Sequence, residues 1–322
     1  MRPRSTNGHR VIALSGGVGG AKLTLGLSRV LPPGDLTVIA NTGDDFEHLG
    51  LSISPDIDTL LYTLAGLDNP ATGWGRRDES WNFMATLEAL GGETWFRLGD
   101  RDLATHIERT RRLRAGESLS QITEDFRQRI GIAARVLPMS DDPVRTRVKT
   151  KDGWLDFQPY FVCHRCEPII TAIEFAGAAD ARPQPELLAA LADPALGAVI
   201  LCPSNPFISI EPILALRGVR AALRDCAAPV VAVSPIIGGR AVKGPTAKMM
   251  QELGVETSAA AVARRYGDLI DAYIVDHADA PSCTGLDCAI VPAKALMETL
   301  ADREALARIV LDAAASVLEP AQ

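Results

Sequence analysis

Compact apolar runs alternate with longer amphipathic stretches along this chain. Residues 11–14, 36–40, 198–201, 230–233 and 273–275 are short, apolar and mostly β-branched, and 289–291 are a sixth such run. Runs of this length with no polar alternation predict strands buried on both faces. Helical segments between them predict a mostly parallel sheet covered on both sides, an α/β architecture. Leu23, Leu27, Val30 and Leu31 recur at helical spacing directly after the first run. Phe83, Met84, Leu87 and Leu90 share one stripe within 81–90, and 102–113 reads as a helix stopped at Ala115-Gly116. Ser118 with Gln121 forms a capping-box signal ahead of Ile122, Phe126 and Ile130. Residues 144–162 read as extended and hairpin-like, 176–185 as a connector, and 302–318 as an amphipathic closing helix.

This pattern divides the chain into a core of residues 1–75 and 165–322 and an inserted helical and extended lobe, 76–164, that covers the site. The first four core runs end in loops rich in glycine, proline, asparagine or acid. In an open α/β sheet such loops gather at the carboxyl edge, where ligands bind.

Composition narrows the function classes. A net charge of −7 over 322 residues argues against nucleic-acid binding through a broad basic surface. The local cluster Arg109, Arg111, Arg112 and Arg114 reads as a solvated helix face. No apolar run approaches the roughly eighteen residues of a membrane span, and Met1 to Arg10 reads as a basic tail rather than a signal peptide. A cytoplasmic location is the expectation. The cysteines at 163 and 166 have redox or zinc spacing but no second close pair, so all six are expected as free thiols.

The chemistry concentrates after the first two strands. Ser15-Gly16-Gly17-Val18-Gly19-Gly20-Ala21-Lys22 joins a strand to a helix, where glycines allow close approach and helix N–H groups face an anion. It matches neither G-x-G-x-x-G nor the Walker pattern. The second strand empties into Asn41-Thr42-Gly43-Asp44-Asp45, and Asp56 and Asp58 follow closely. Four carboxylates beside a phosphate loop repel one another unless a cation intervenes, and Mg²⁺ prefers carboxylates combined with phosphate oxygens and water. Asp44, Asp45, Asp56 and Asp58 are therefore the metal candidates. Helix capping and Asx-turns remain the alternative for each one singly. Arg97 and Arg101 are candidates for a phosphate or polar heterocycle. Residues 203–209 and 234–239, followed by Lys243 and Gly244, present stiffened polar loops after the third and fourth strands. His106 reads as a packed helix residue with no leading role.

Seven motifs occur here in one order: residues 15–22, 41–45, 54–59, 98–106, 137–143, 203–206 and 234–238. Through them the chain resembles the 2-phospho-L-lactate transferase family of coenzyme F-420 biosynthesis, from about residue 11 to about 275. The resemblance implies a Rossmann-like three-layer core with a mostly parallel sheet and an inserted helical lobe, and a homodimer. It implies the deazaflavin FO as acceptor and a guanosine diphosphate-linked three-carbon acid as donor, with GMP released and F-420-0 or its dehydro form produced. Asp58 and Arg97, with Arg101, fall on the deazaflavin side. Gly16, Gly17, Gly19, Gly20, Lys22, Asn41, Ser204, Asn205, Ser234 and Gly238 would hold the nucleotide and phosphates. Asp45 and Asp58 would orient or deprotonate the attacking hydroxyl. The Cys163–Cys166 stretch and the segment after Asp276 depart from the family pattern. A non-catalytic nucleotide-sugar-binding regulator of the related gluconeogenesis-factor group is the alternative, and it would lack the motifs around Asp58 and Arg97. An NAD-dependent oxidoreductase is disfavoured by the missing third glycine and by Asn41-Thr42-Gly43 where a ribose-binding acid stands.

Overall fold

A computed structural model describes residues 9–242 and 244–318; the basic tail of 1–8 and Lys243 lie outside the described residues. Seven parallel strands form the central sheet: β1 (Arg10–Ser15), β2 (Leu36–Ala40), β3 (Arg135–Pro138), β4 (Leu196–Leu201), β5 (Val230–Val233), β6 (Ala272–Asp276) and β7 (Ala289–Ala293). Their spatial order is 7-6-5-4-1-2-3, with every pairing parallel. The order reverses between β1 and β4, so the loops after those two strands open a crevice at the carboxyl edge.

The core strands are buried on both faces because alternate residues serve opposite layers. Val11 and Ala13 of β1 face one layer, together with Leu23, Leu27, Ile57, Leu306 and Val310. Ile12 and Leu14 face the other, together with Val199, Leu201, Phe207 and Ile213. Each fully buried Leu or Ile contributes about 1.5–3 kcal/mol by leaving water. The three-layer α/β expectation is met.

Helix α1 (Gly17–Val30) follows β1 without a break, and α2 (Pro55–Leu64) follows a short antiparallel hairpin at 46–53. Helices α3 (Asn82–Ala89), α4 (Asp100–Arg114) and α5 (Leu119–Arg129) come next, and α6 (Leu300–Leu318) closes the chain. The Ser118–Gln121 capping box forms as expected.

The segment 76–164 is not wholly an insert. Residues 135–138 pair with β2 as the edge strand of the central sheet. This four-residue run ends in Pro138, which a strand tolerates at an edge, and that brevity hid it from the hydrophobic pattern. The hairpin expected in 144–162 is present, Arg145–Thr150 pairing with Gly153–Asp156. A π-helical turn at Pro159–Cys163 follows the hairpin, and Ala172–Ala176 then adds a third antiparallel strand that ends where the connector was expected to begin.

Helix α6 lies directly across α1. A Cβ at Gly26 would collide with the backbone carbonyl of Arg303, so the two helices approach closer than any side chain permits. Gly26→Ala would gain about 1 kcal/mol of helix propensity. It would also force the helices apart, a cost of about 1–3 kcal/mol. A net loss of stability is expected in thermal or denaturant unfolding, and a stabilised variant would contradict this packing.

Candidate functional site

Local bonds lock three loops together at the point where strand order reverses. Gly16 N–H donates to Ser204 Oγ at 3.2 Å, and the Ser204 hydroxyl donates back to the Gly16 carbonyl at 2.7 Å. Gly17, in the left-handed region at φ 64°, donates its N–H to Asp56 Oδ1 at 2.7 Å. Asn41 Nδ2 donates to Asp56 Oδ2 at 2.9 Å and to the Ile208 carbonyl at 3.1 Å. A Cβ at Gly16 would strike Asp56, and one at Gly19 would strike the Pro203 carbonyl. The glycines therefore serve loop-to-loop contact as well as exposing the start of α1.

Between these loops lies a cavity of about 540 Å³, within the usual size of ligand pockets. Gly16, Gly17, Gly19, Lys22, Asp44, Asp56, Asp58, Arg97, Ser204, Asn205 and Ser234 all border it. Gly20 and Asn41 stand just behind, the first packed against Ser15 and Ser204, the second holding Asp56. Lys22 Nζ donates to the Met297 carbonyl at 2.8 Å.

Several expectations fail on geometry. The four aspartates do not gather into one ligand set among the described residues. Asp58 is instead paired with the Arg109 guanidinium, and Asp45 accepts from the Ser54 hydroxyl at 2.8 Å, set back from the cavity wall. Asp45 therefore reaches no substrate directly as the structure stands. Gly238 does not border the cavity; its N–H donates to Asp279 at 2.7 Å. Arg101 points to solvent, and its backbone N–H is held by Glu79 at 2.7 Å. Arg97 stays at the cavity, its guanidinium 4.2 Å from the Trp81 ring centroid. The capping alternative fails for Asp56 and Asp58, because α2 begins at Pro55 and holds both carboxylates in its first turn. Asp141 and Asp142 are structural, the first on the N-terminus of α5 at Ser120 and the second paired with Arg182.

The electrostatics of the acidic wall are set by burial. Burial pushes the Asp45 carboxyl up to about 7, against the opposing pull of Arg145, Ser54 and Arg109. Asp44 is pushed well above the carboxylate range, first by burial and then by the charge of Asp56, which burial raises in turn. Asp44 Oδ1 is buried with no hydrogen-bond partner. Asp44 and Asp56, facing the cavity together with an unsatisfied oxygen, fit a hard cation that keeps phosphate oxygens and water as its remaining ligands.

Sequence reasoning missed several residues on and behind the cavity wall. Arg109, taken for a solvated residue, is 1% exposed. His106 borders the cavity, its Nε2 3.3 Å from Asp102 Oδ2, and Tyr62 donates to Asp102 Oδ1 at 2.6 Å. Aromatic walls come from Trp95 and Phe96, edge-to-face at 5.8 Å, and from Phe157 and Phe161, stacked at 5.4 Å. The adjacency of Trp95-Phe96 to Arg97 was the available signal. The Phe157–Phe161 spacing reveals nothing until the π-helical turn brings both rings to one side.

The profile of the family described as 2-phospho-L-lactate transferase CofD matches residues 11–304. A phosphoenolpyruvate transferase of Kitasatospora aureofaciens is 44% identical over 307 residues, 93% of this chain and 95% of its own. One of Streptomyces coelicolor is 42% identical over 310 residues, 94% and 97% of the two chains. One of Mycobacterium tuberculosis is 40% identical over 308 residues, 88% and 92%. In fold the chain is similar to a Bacillus halodurans protein of the UPF0052 family, with a TM-score of 0.62 and 14% identity over 95% of this chain and all of the other. No helix among the described residues is long and apolar enough to cross a membrane.

A buried carboxyl with a raised pKa stabilises the fold while it keeps its proton. Its contribution is complete below the usual carboxylate range and is lost as pH rises through the folded value. Asp45→Asn should therefore gain stability relative to the parent chain as pH rises from 5 to 8, by on the order of a few kcal/mol. Chemical denaturation of the two proteins across that window measures this, and a stability of the Asn variant relative to the parent that stays constant or falls as pH rises would contradict the buried carboxyl.

Proposed function

The chain belongs to the 2-phospho-L-lactate transferase CofD family, and from that membership we propose a specific reaction for it. A phospho-linked three-carbon acid (lactyl, enolpyruvyl or glyceryl) passes from a guanosine diphosphate-linked donor to the ribityl hydroxyl of the deazaflavin FO. At the coarser level, the family match and the transferase names of its relatives make the chain a transferase acting on a phosphate-containing group in coenzyme F-420 biosynthesis. The shared name of the relatives favours enolpyruvyl as the transferred acid.

The observation that carries this reading is a single cavity with two kinds of wall. Its lining joins the start of α1, Ser204, Asn205, Asp44 and Asp56 to Trp95, Phe96, Phe157, Phe161 and Tyr62. Phosphate chemistry suits the first set and a planar tricyclic ring the second. Asp58 lies on the wall with them. In the proposed step the ribityl oxygen forms a bond to the phosphorus next to the three-carbon acid, and the bond from that phosphorus to GMP breaks. The hydroxyl proton passes to the Asp58 carboxylate. Val18 and Gly19 at the start of α1 bring the helix's partial positive charge to the diphosphate, which suits such transfers because they depend mainly on positioning and charge neutralisation. Mg²⁺, held by Asp44 and Asp56, would neutralise charge on the diphosphate oxygens. Asp58 and Arg97 both border the cavity, which favours the enzyme over the non-catalytic regulator.

Purified protein with FO, Mg²⁺ and each of the three donors should release GMP, fastest with the enolpyruvyl donor. Asp58→Asn should slow turnover by about 10²–10⁴-fold, the usual contribution of a positioned base. Absence of GMP with every donor, or full activity of the Asn variant, would overturn the reading.

A further inference from the structure

Asp58 is tied to a buried cation, whereas Asp56 beside it is held by an amide N–H and an asparagine side chain. Arg109 of α4 reaches across to the first turn of α2. Its Nη1 donates to Asp58 Oδ2 at 3.1 Å, and its Nη2 donates to Oδ1. The same Nη1 donates to the Ser52 carbonyl at 3.4 Å and lies 3.3 Å from His106 Nδ1. A guanidinium offers no lone pair, so His106 Nδ1 is the acceptor and its ring proton sits on Nε2, facing Asp102. Asp58, His106, Asp102 and Tyr62 all border the cavity, and Arg109 stands behind them.

We propose that Arg109 is a positioning residue whose two-pronged grip from behind the cavity wall fixes the plane of the Asp58 carboxylate and the tautomer of His106. A carboxylate has about four lone-pair sites. The fork occupies one on each oxygen of Asp58 and leaves the others for an alcohol entering from the cavity. This rests on the reading of Asp58 as the group that meets the acceptor hydroxyl. Arg109 touches no substrate in this account; it acts through Asp58. A pair that served only to pin α4 to α2 would, once broken, lower stability, donor binding and turnover together. Positioning instead predicts a loss in kcat with the donor KM preserved, and no further loss once Asp58 cannot act.

The test is a double-mutant cycle in the full chain, followed by GMP release with FO and the enolpyruvyl donor. Arg109→Lys keeps the charge but replaces the fork with a point charge. It should fold, hold the donor KM within about twofold and lose about 10–100-fold in kcat, a share of the general-base contribution. In the Asp58→Asn background the same Arg109→Lys change should cost less than about threefold, because residues acting as a unit are non-additive. Arg109→Gln serves as a second variant, and Asp58→Asn/Arg109→Gln restores charge balance should the single change not fold. An Arg109→Lys enzyme with the parent kcat, a donor KM that rises with the loss of kcat, or a double variant that multiplies both losses would overturn the role. A parent chain that releases no GMP sinks the reaction itself, whereas an active parent matched by its Arg109→Lys variant sinks only Arg109.

Discussion

The site depends on three loops meeting where the strand order reverses. Gly16 is locked to Ser204, Gly17 to Asp56, and Asn41 to both Asp56 and the Ile208 carbonyl. Each contact joins a loop after one strand to a segment far away in sequence, so the glycines after β1 are chosen by what must lie against them. The consequence is a carboxylate placed where the start of α1 would receive an anion. Asp56 satisfies the Gly17 N–H, and a phosphate entering there must share the space with a negative group.

That arrangement leaves some of the buried acids without compensation and balances others. Asp44 and Asp45 are buried with oxygens that find no partner, and the cost appears as carboxyls that hold their protons too tightly. Asp58 has a full guanidinium partner, and Asp102 is drawn below the usual range because His106, Tyr62 and the Arg109 charge together outweigh its burial. The acids around the cavity therefore fall into two groups, those whose burial is uncompensated and those held by a guanidinium, an imidazole or a phenol.

Much of this architecture was legible in the hydrophobic pattern, since six of the seven central strands are apolar runs that parallel sheets demand. The missing strand, Arg135–Pro138, is only four residues long and opens on an arginine, so although Val136 and Leu137 are buried in opposite layers it left little pattern to read. The wall around the start of α1 was legible because its residues are contiguous in glycine- and aspartate-rich motifs. The wall around Asp58 and its partners was not. Arg109 belongs to a run of arginines whose neighbour Arg111 is a solvated ion pair with Glu108, and only the direction of α4 separates it from them. A motif marks a loop without saying which of its groups face the cavity: the Gly238 N–H is spent on Asp279, and Arg101 is exposed and away from the lining.

The central claim is that the acidic end takes a nucleoside diphosphate only together with a cation. Calorimetric titration of GDP into the parent chain and into Asp56→Asn, with Mg²⁺ and with a chelator, tests it most directly. The account predicts that GDP binds the parent at least tenfold more tightly with Mg²⁺, a difference of about 1.4 kcal/mol, and that Asp56→Asn abolishes this dependence. Equal affinity with and without Mg²⁺ would contradict it.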